Sequence, residues 1–170
     1  MYHVGDCVVR SADGLCRIKD VVRLDFVSDR EKLYYQLESF SDQNGKIYVP
    51  VDKAEGSMRP AMSGTQAKML IEQIPTIKEG WVANEKERQS RYKEAIQSND
   101  PKRLIGIIKL IYQRKKMRQA QGKKTTAVDE QYFAVAESRL YSELQYALNT
   151  TRSDVEMMIR QSCEKDRLPG

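Results

Sequence analysis

Apolar positions recur with two different periods along this chain. Over the first part the runs are short and strand-like: VGDCVVR at 4–10, LCRIKDVVRLDF at 15–26, KLYYQLESF at 32–40 and KIYVPVD at 46–52. Approximate alternation sets Ile18, Val22, Leu24 and Phe26 on one side, and Ile47, Val49 and Val51 on another. Turn chemistry falls between the runs, at Ala12-Asp13-Gly14 and at Asp42-Gln43-Asn44-Gly45. Asn-Gly between two strand-like runs predicts a hairpin, because both residues tolerate the positive φ that a tight turn needs. Four or five short strands in so few residues predict a small, strongly bent antiparallel sheet. Pro50 has no N–H to give to a ladder, so its strand is expected at an edge. An open edge of this kind can accept a strand from another protein.

From about residue 62 the period becomes helical. Met62 to Ile74 reads as a helix ended by Pro75, and Trp81 to Gln97 as a second. Positions 81, 85, 88 and 92 of the second share one face and carry Trp, Glu, Arg and Tyr. Asp100-Pro101 is an N-cap followed by proline at the first helical position. The helix it opens holds Leu104, Ile105, Ile107, Ile108, Leu110 and Ile111, the most apolar set in the chain, so a central position is expected. Gln121-Gly122 stops it. Thr126 with Asp129 resembles a capping box opening a long helix to Leu148, with Phe133, Ala136, Leu140, Leu144 and Leu148 as its core stripe. Ser153 with Glu156 opens a last helix through about Cys163, and Asp166–Gly170 is expected to fray. The fold class is therefore α+β, a β module followed by a compact all-α domain of about five helices. The composition change around Ser57, Pro60, Ser63 and Gly64 divides it into domains 1–58 and 59–166.

Charge changes the picture. The chain has 170 residues and a net charge of +5. Residues 1–75 hold 10 basic and 11 acidic side chains, whereas 76–170 hold 19 and 13. Residues 102–124 carry nine basic side chains and no acidic one. Such a one-sided block is a local field suited to polyanions, or a solvated helix end whose cations complement the helix dipole.

Catalytic chemistry is poorly represented. Neither GxGxxG nor GxxxxGK[ST] occurs, and His3 is the single histidine. Cys7, Cys16 and Cys163 form no CxxC pair, and reduced thiols are expected. Asp25, Asp29 and Glu31 cluster in what reads as a solvated hairpin turn rather than a metal site. No enzyme, cofactor or metal is expected. No apolar run reaches the roughly 18–20 residues of a membrane span, and MYHVGDCVVR does not read as a secretory leader. A cytoplasmic monomer is expected.

Trp81, the single tryptophan, has two readings. It anchors a helix start in a core, or it is an exposed wedge of the kind that inserts beside base steps while basic neighbours hold phosphates.

Several motifs taken in order carry a family resemblance. They are VGDCVV, DGLCRI and GKIYVPVDKAE, then W-x6-R-x3-Y (Trp81, Arg88, Tyr92), SNDP at 98–101, IIKLIYQRKK at 107–116 and DEQYFAVAESRLYSEL at 129–144. In these the chain resembles the CarD/CdnL family of bacterial transcription regulators along nearly its whole length. It departs from many members at Arg10–Gly14, where they have Tyr-Pro-x-His-Gly, and at Tyr48, where they are basic.

The resemblance implies a Tudor/SH3-like module that docks on the RNA polymerase β subunit. That surface would comprise Arg23 and the strand Ile47, Tyr48, Val49 and Pro50. It further implies a helical domain lying on promoter double-stranded DNA at the upstream edge of the bubble, in the minor groove. Trp81 would be the wedge that stabilises the open complex. Arg88, Arg91 and Lys93 would hold phosphates, with Lys109, Arg114, Lys115, Lys116 and Arg118 from the basic block. DNA binding by the protein alone would be weak and sequence-independent, and polymerase would bring it to the nucleoid. The alternative is a protein-interaction adaptor that uses the β module without touching DNA.

Overall fold

The computed structural model describes residues 1–78 and 80–167. The chain divides into two compact units, Met1–Ala61 and Met62–Gly170. The division falls later than the 58/59 boundary expected from composition, because Met58–Pro60 is still a strand of the first unit.

Among the described residues the first unit holds one five-stranded antiparallel sheet. Its strands are β1 (Cys7–Arg10), β2 (Gly14–Arg23), β3 (Leu33–Ser39), β4 (Ile47–Pro50) and β5 (Met58–Pro60), in the order β4-β3-β2-β1-β5. A helical turn, α1 (Ala54–Ser57), precedes β5. Gly14 takes φ +74° where the first hairpin closes, a conformation that costs glycine little. The Asp42–Gly45 turn joins β3 to β4 in register, Leu37 opposite Ile47 and Tyr34 opposite Pro50.

The expected alternation in β2 fails at one place. The register shifts between Ile18 and Asp20, so an extra residue exchanges the two faces of the strand. Val21 rather than Val22 then packs on the core of Val8, Cys16, Ile18, Tyr35, Leu37, Val49 and Met58. Leu24 is buried, but Phe26 is 77% exposed. Tyr2 covers the core, its ring edge-on to that of Tyr35 and its backbone N–H donating to the Tyr35 hydroxyl.

The second unit is helical: α2 (Gly64–Gln73), α3 (Glu85–Ser98), α4 (Pro101–Ala120), α5 (Ala127–Leu148) and α6 (Arg152–Arg167), with a 3-10 turn at Ile74–Thr76. Caps explain the boundaries. Ser63 and Gln66 form a complete capping box on α2, and Asp100 accepts from the Lys102 N–H on α4. Thr126 caps α5, but the Asp129 side chain does not complete the box; it turns into the core. The last helix starts at Arg152 with Thr151 accepting from the Asp154 N–H, not at Ser153, and it includes Asp166 and Arg167. Residues 168–170 of the expected frayed tail lie outside the described residues.

Two buried clusters share α4 and α5. One joins Ala67, Leu70, Ile71 and Ile74 to Ile105, Leu140, Leu144 and Val155. The other joins Tyr92 and Ala95 to Leu104, Ile107, Leu110, Ile111 and Ala136. The two apolar flanks of α4 thus face different neighbours, and it is central as its composition predicts.

Candidate polymerase-facing edge and nucleic-acid interface

In the first unit β4 is an edge strand, paired only with β3. Its four residues differ in role. Val49 is 2% exposed and belongs to the core; Ile47, Tyr48 and Pro50 are half-buried. Phe26 stands edge-on to Tyr48, with ring centroids 6.4 Å apart. Beside the expected contact strand there is therefore an exposed aromatic that alternation had assigned to the same side as Ile18. Phe26 lies in the turn beyond the end of β2, where strand alternation no longer applies. Arg23 is exposed, with Nε 3.8 Å from the Glu31 carboxylate. Asp29 of the acidic cluster accepts from the Glu31 N–H, which is turn geometry.

In the second unit the tryptophan is not on a helix. The helix expected from residue 81 begins at Glu85, because Asn84 caps it by accepting from the Glu87 N–H. Trp81 lies in the segment before the cap and is 51% exposed, so it is not a core anchor. Leaving about half of an indole in water forgoes roughly 2–3 kcal/mol of burial. Its neighbour Val82 is the buried residue of that segment. Glu79, just ahead, is outside the described residues.

Two arginines of α3 reach back to this segment. Arg88 is 8% exposed, and its Nη1 donates to the carbonyls of Val82 and Ala83, each at 3.2 Å. Arg91 Nη1 is 3.4 Å from the Gly80 carbonyl, and its side chain is otherwise on the surface. The Arg88 guanidinium, for which the resemblance implies a phosphate contact, is directed at these carbonyls. A guanidinium closed over backbone carbonyls has its donors directed inward.

The basic block divides the same way. Lys109 Nζ donates to the Ile74 carbonyl and, at 2.6 Å, to that of Ile77. Arg114 Nε donates at 2.8 Å to Asp129, whose side chain is 3% exposed. The other oxygen of Asp129 accepts from the Tyr92 hydroxyl at 3.0 Å. Burial, then the Asp129 charge, pushes the Tyr92 phenol well above its ordinary value. Arg118 Nε donates at 2.7 Å to the Lys124 carbonyl and holds the α4–α5 turn. Lys109, Arg114 and Arg118 thus serve the fold. Lys93, Lys115 and Lys116 are exposed, and Lys116 lies 4.7 Å over the Tyr112 ring. Periodicity does not separate these groups, since each cation follows the same apolar stripe.

Among the described residues no helix is long and apolar enough to cross a membrane. No curated protein matches the chain. A family model, that of the CarD-like/TRCF RID domain, matches residues 2–62, which takes in the whole β sheet. Over residues 2–62 the chain is therefore similar to the CarD-like/TRCF RID domain, and the helical unit lies outside the match.

Proposed function

We propose that this protein is a non-enzymatic transcription regulator that binds RNA polymerase through its β domain and promoter DNA through its helical domain. The family match supports the polymerase half of the reading. The open β4 edge, with Tyr48 and Phe26 beside it, suits strand addition to the β subunit.

The DNA half rests on one observation: a half-exposed tryptophan in a segment bonded to the helix behind it, with Arg91 and Lys93 on the surface of that helix. A flat apolar side chain held in this way can enter the minor groove beside a splayed step at the upstream edge of the bubble. Filling that step opposes its restacking. Each ~1.4 kcal/mol so gained slows collapse of the open complex about tenfold. Lys93, Lys115 and Lys116 supply sequence-independent phosphate contacts. The protein acts as a monomer without a cofactor.

The test is the lifetime of open complexes formed by the cognate polymerase. The wild-type protein is expected to lengthen it several-fold. Trp81→Ala is expected to remove the effect while the protein still co-purifies with polymerase. A lifetime unchanged by Trp81→Ala would exclude the wedge.

One observation favours the adaptor reading instead: Arg88, Lys109, Arg114 and Arg118 are engaged inside the fold, which leaves a smaller basic surface than the composition suggests. On that reading Lys115→Glu leaves function intact.

A further inference from the structure

We propose that Arg88 is a positioning residue that holds Trp81 ready for its partner and makes no phosphate contact itself. The inference rests on the reading of Trp81 as the DNA wedge. Its structural part can be tested without DNA.

Three attachments fix the segment 80–84 to α3. The Arg88 guanidinium bridges the Val82 and Ala83 carbonyls, the two that directly follow Trp81. Arg91, one turn further along α3, reaches the Gly80 carbonyl just before it. Asn84 closes the helix end through the Glu87 N–H, and its own carbonyl accepts from the Arg88 N–H at 3.0 Å. Between these bonds Val82 is 5% exposed, so the backbone is also held by an apolar contact. The indole alone is left half in water.

Arginine suits this task. One Nη carries two hydrogens in a fixed plane and can serve two carbonyls at once, while the charge strengthens both bonds. A lysine ammonium can also bridge two carbonyls, as Lys109 does, but on its flexible stem it fixes their positions less tightly. The effect is preorganisation: a segment ordered before binding has less freedom to lose on binding.

Trp81 is the single tryptophan, so fluorescence excited at the red edge, where the tyrosines do not absorb, reports this segment alone. In the wild type, the time-resolved anisotropy of Trp81 is expected to decay with the tumbling of its domain. Arg88→Gln is expected to add a fast local component, and Arg88→Lys a smaller one. DNA affinity of Arg88→Gln is expected to fall several-fold with an unchanged dependence on salt. Loss of a phosphate contact would instead reduce the salt slope by about 1.

Fast local motion of Trp81 in the wild type overturns the inference. So does a reduced salt slope with unaltered anisotropy in Arg88→Gln. Circular dichroism checks folding of the variants; should Arg88→Gln not fold, the wild-type anisotropy and Arg88→Lys decide. Failure of Trp81→Ala to change open-complex lifetime removes the wedge reading, whereas the anisotropy accepts or rejects the attachment independently.

Discussion

Tyr92 shows how a single side chain joins three helices. Its ring is fully buried between α3, α4 and α5, and its hydroxyl shares Asp129 with Arg114. In the folded state burial and the nearby carboxylate favour the neutral phenol, so the folded protein holds that proton more tightly than the unfolded chain. The contribution is complete below the unfolded value of about 10 and is lost as pH rises beyond it. Wild-type melting temperature is therefore expected to fall steeply above about pH 10. Tyr92→Phe is expected to melt lower near neutrality, having lost the bond to Asp129, but to decline less steeply in alkali. Tyr2 and Tyr141, also raised mainly by burial, leave a residual slope in the variant. An equal slope in both proteins would refute this assignment.

At the scale of the element, α4 does two kinds of work with one set of cations. Lys109 ties the helix to carbonyls at the two ends of the 3-10 turn that follows α2, whereas Lys115 and Lys116 are exposed. The two classes are expected to separate in experiment. Lys109→Met leaves both carbonyls without their cation and is expected to cost about 1–3 kcal/mol in urea unfolding. Its salt slope for DNA binding should not change. Lys115→Glu with Lys116→Glu is expected to leave the urea midpoint within experimental error and to flatten the salt dependence. A Lys109→Met protein of full stability and reduced salt slope would reverse the roles. β2 illustrates the opposite dependence, of pattern on geometry. Its bulge moves Val21 onto the core, while Phe26, which alternation placed with Ile18, lies in the turn beyond the strand and stays in solvent.

For the whole molecule, two units on one chain change what weak binding can achieve. A basic surface with few free cations binds DNA poorly at physiological salt. On the proposed function, a helical domain tethered through the β domain to a polymerase already on a promoter would meet DNA at an effective concentration in the millimolar range. Tyr48→Glu, which sets a charge on the β4 edge, is therefore expected to abolish co-purification with polymerase and the open-complex effect together. Binding of the free protein to DNA at low salt should be unchanged. Retention of the open-complex effect by a protein that no longer binds polymerase would rule out the tether.

Much of this architecture is legible in the residues because local chemistry specifies it. The hairpin at Asp42–Gly45 forms, though with Asp42 accepting from the Asn44 N–H and without the positive φ expected of Asn44 and Gly45; Pro50 sits in an edge strand, and Asp100 and Thr126 start helices where their side chains accept a backbone N–H. The apolar density of Leu104–Ile111 placed α4 at the centre. These are properties of a few neighbouring residues, and a linear pattern records them. The fate of each cation is not such a property. Arg88, Lys109 and Arg114 find their acceptors at Val82, Ile74 and Asp129, and for the last two those acceptors lie 35 and 15 positions away. Likewise, in the segment that Asn84 leaves outside α3, packing buries Val82 and leaves the Trp81 indole exposed. Charge and periodicity determined which side chains are available; only tertiary packing decided which of them are consumed by the fold and which remain for a partner, because a donor's partner is set by distance in space.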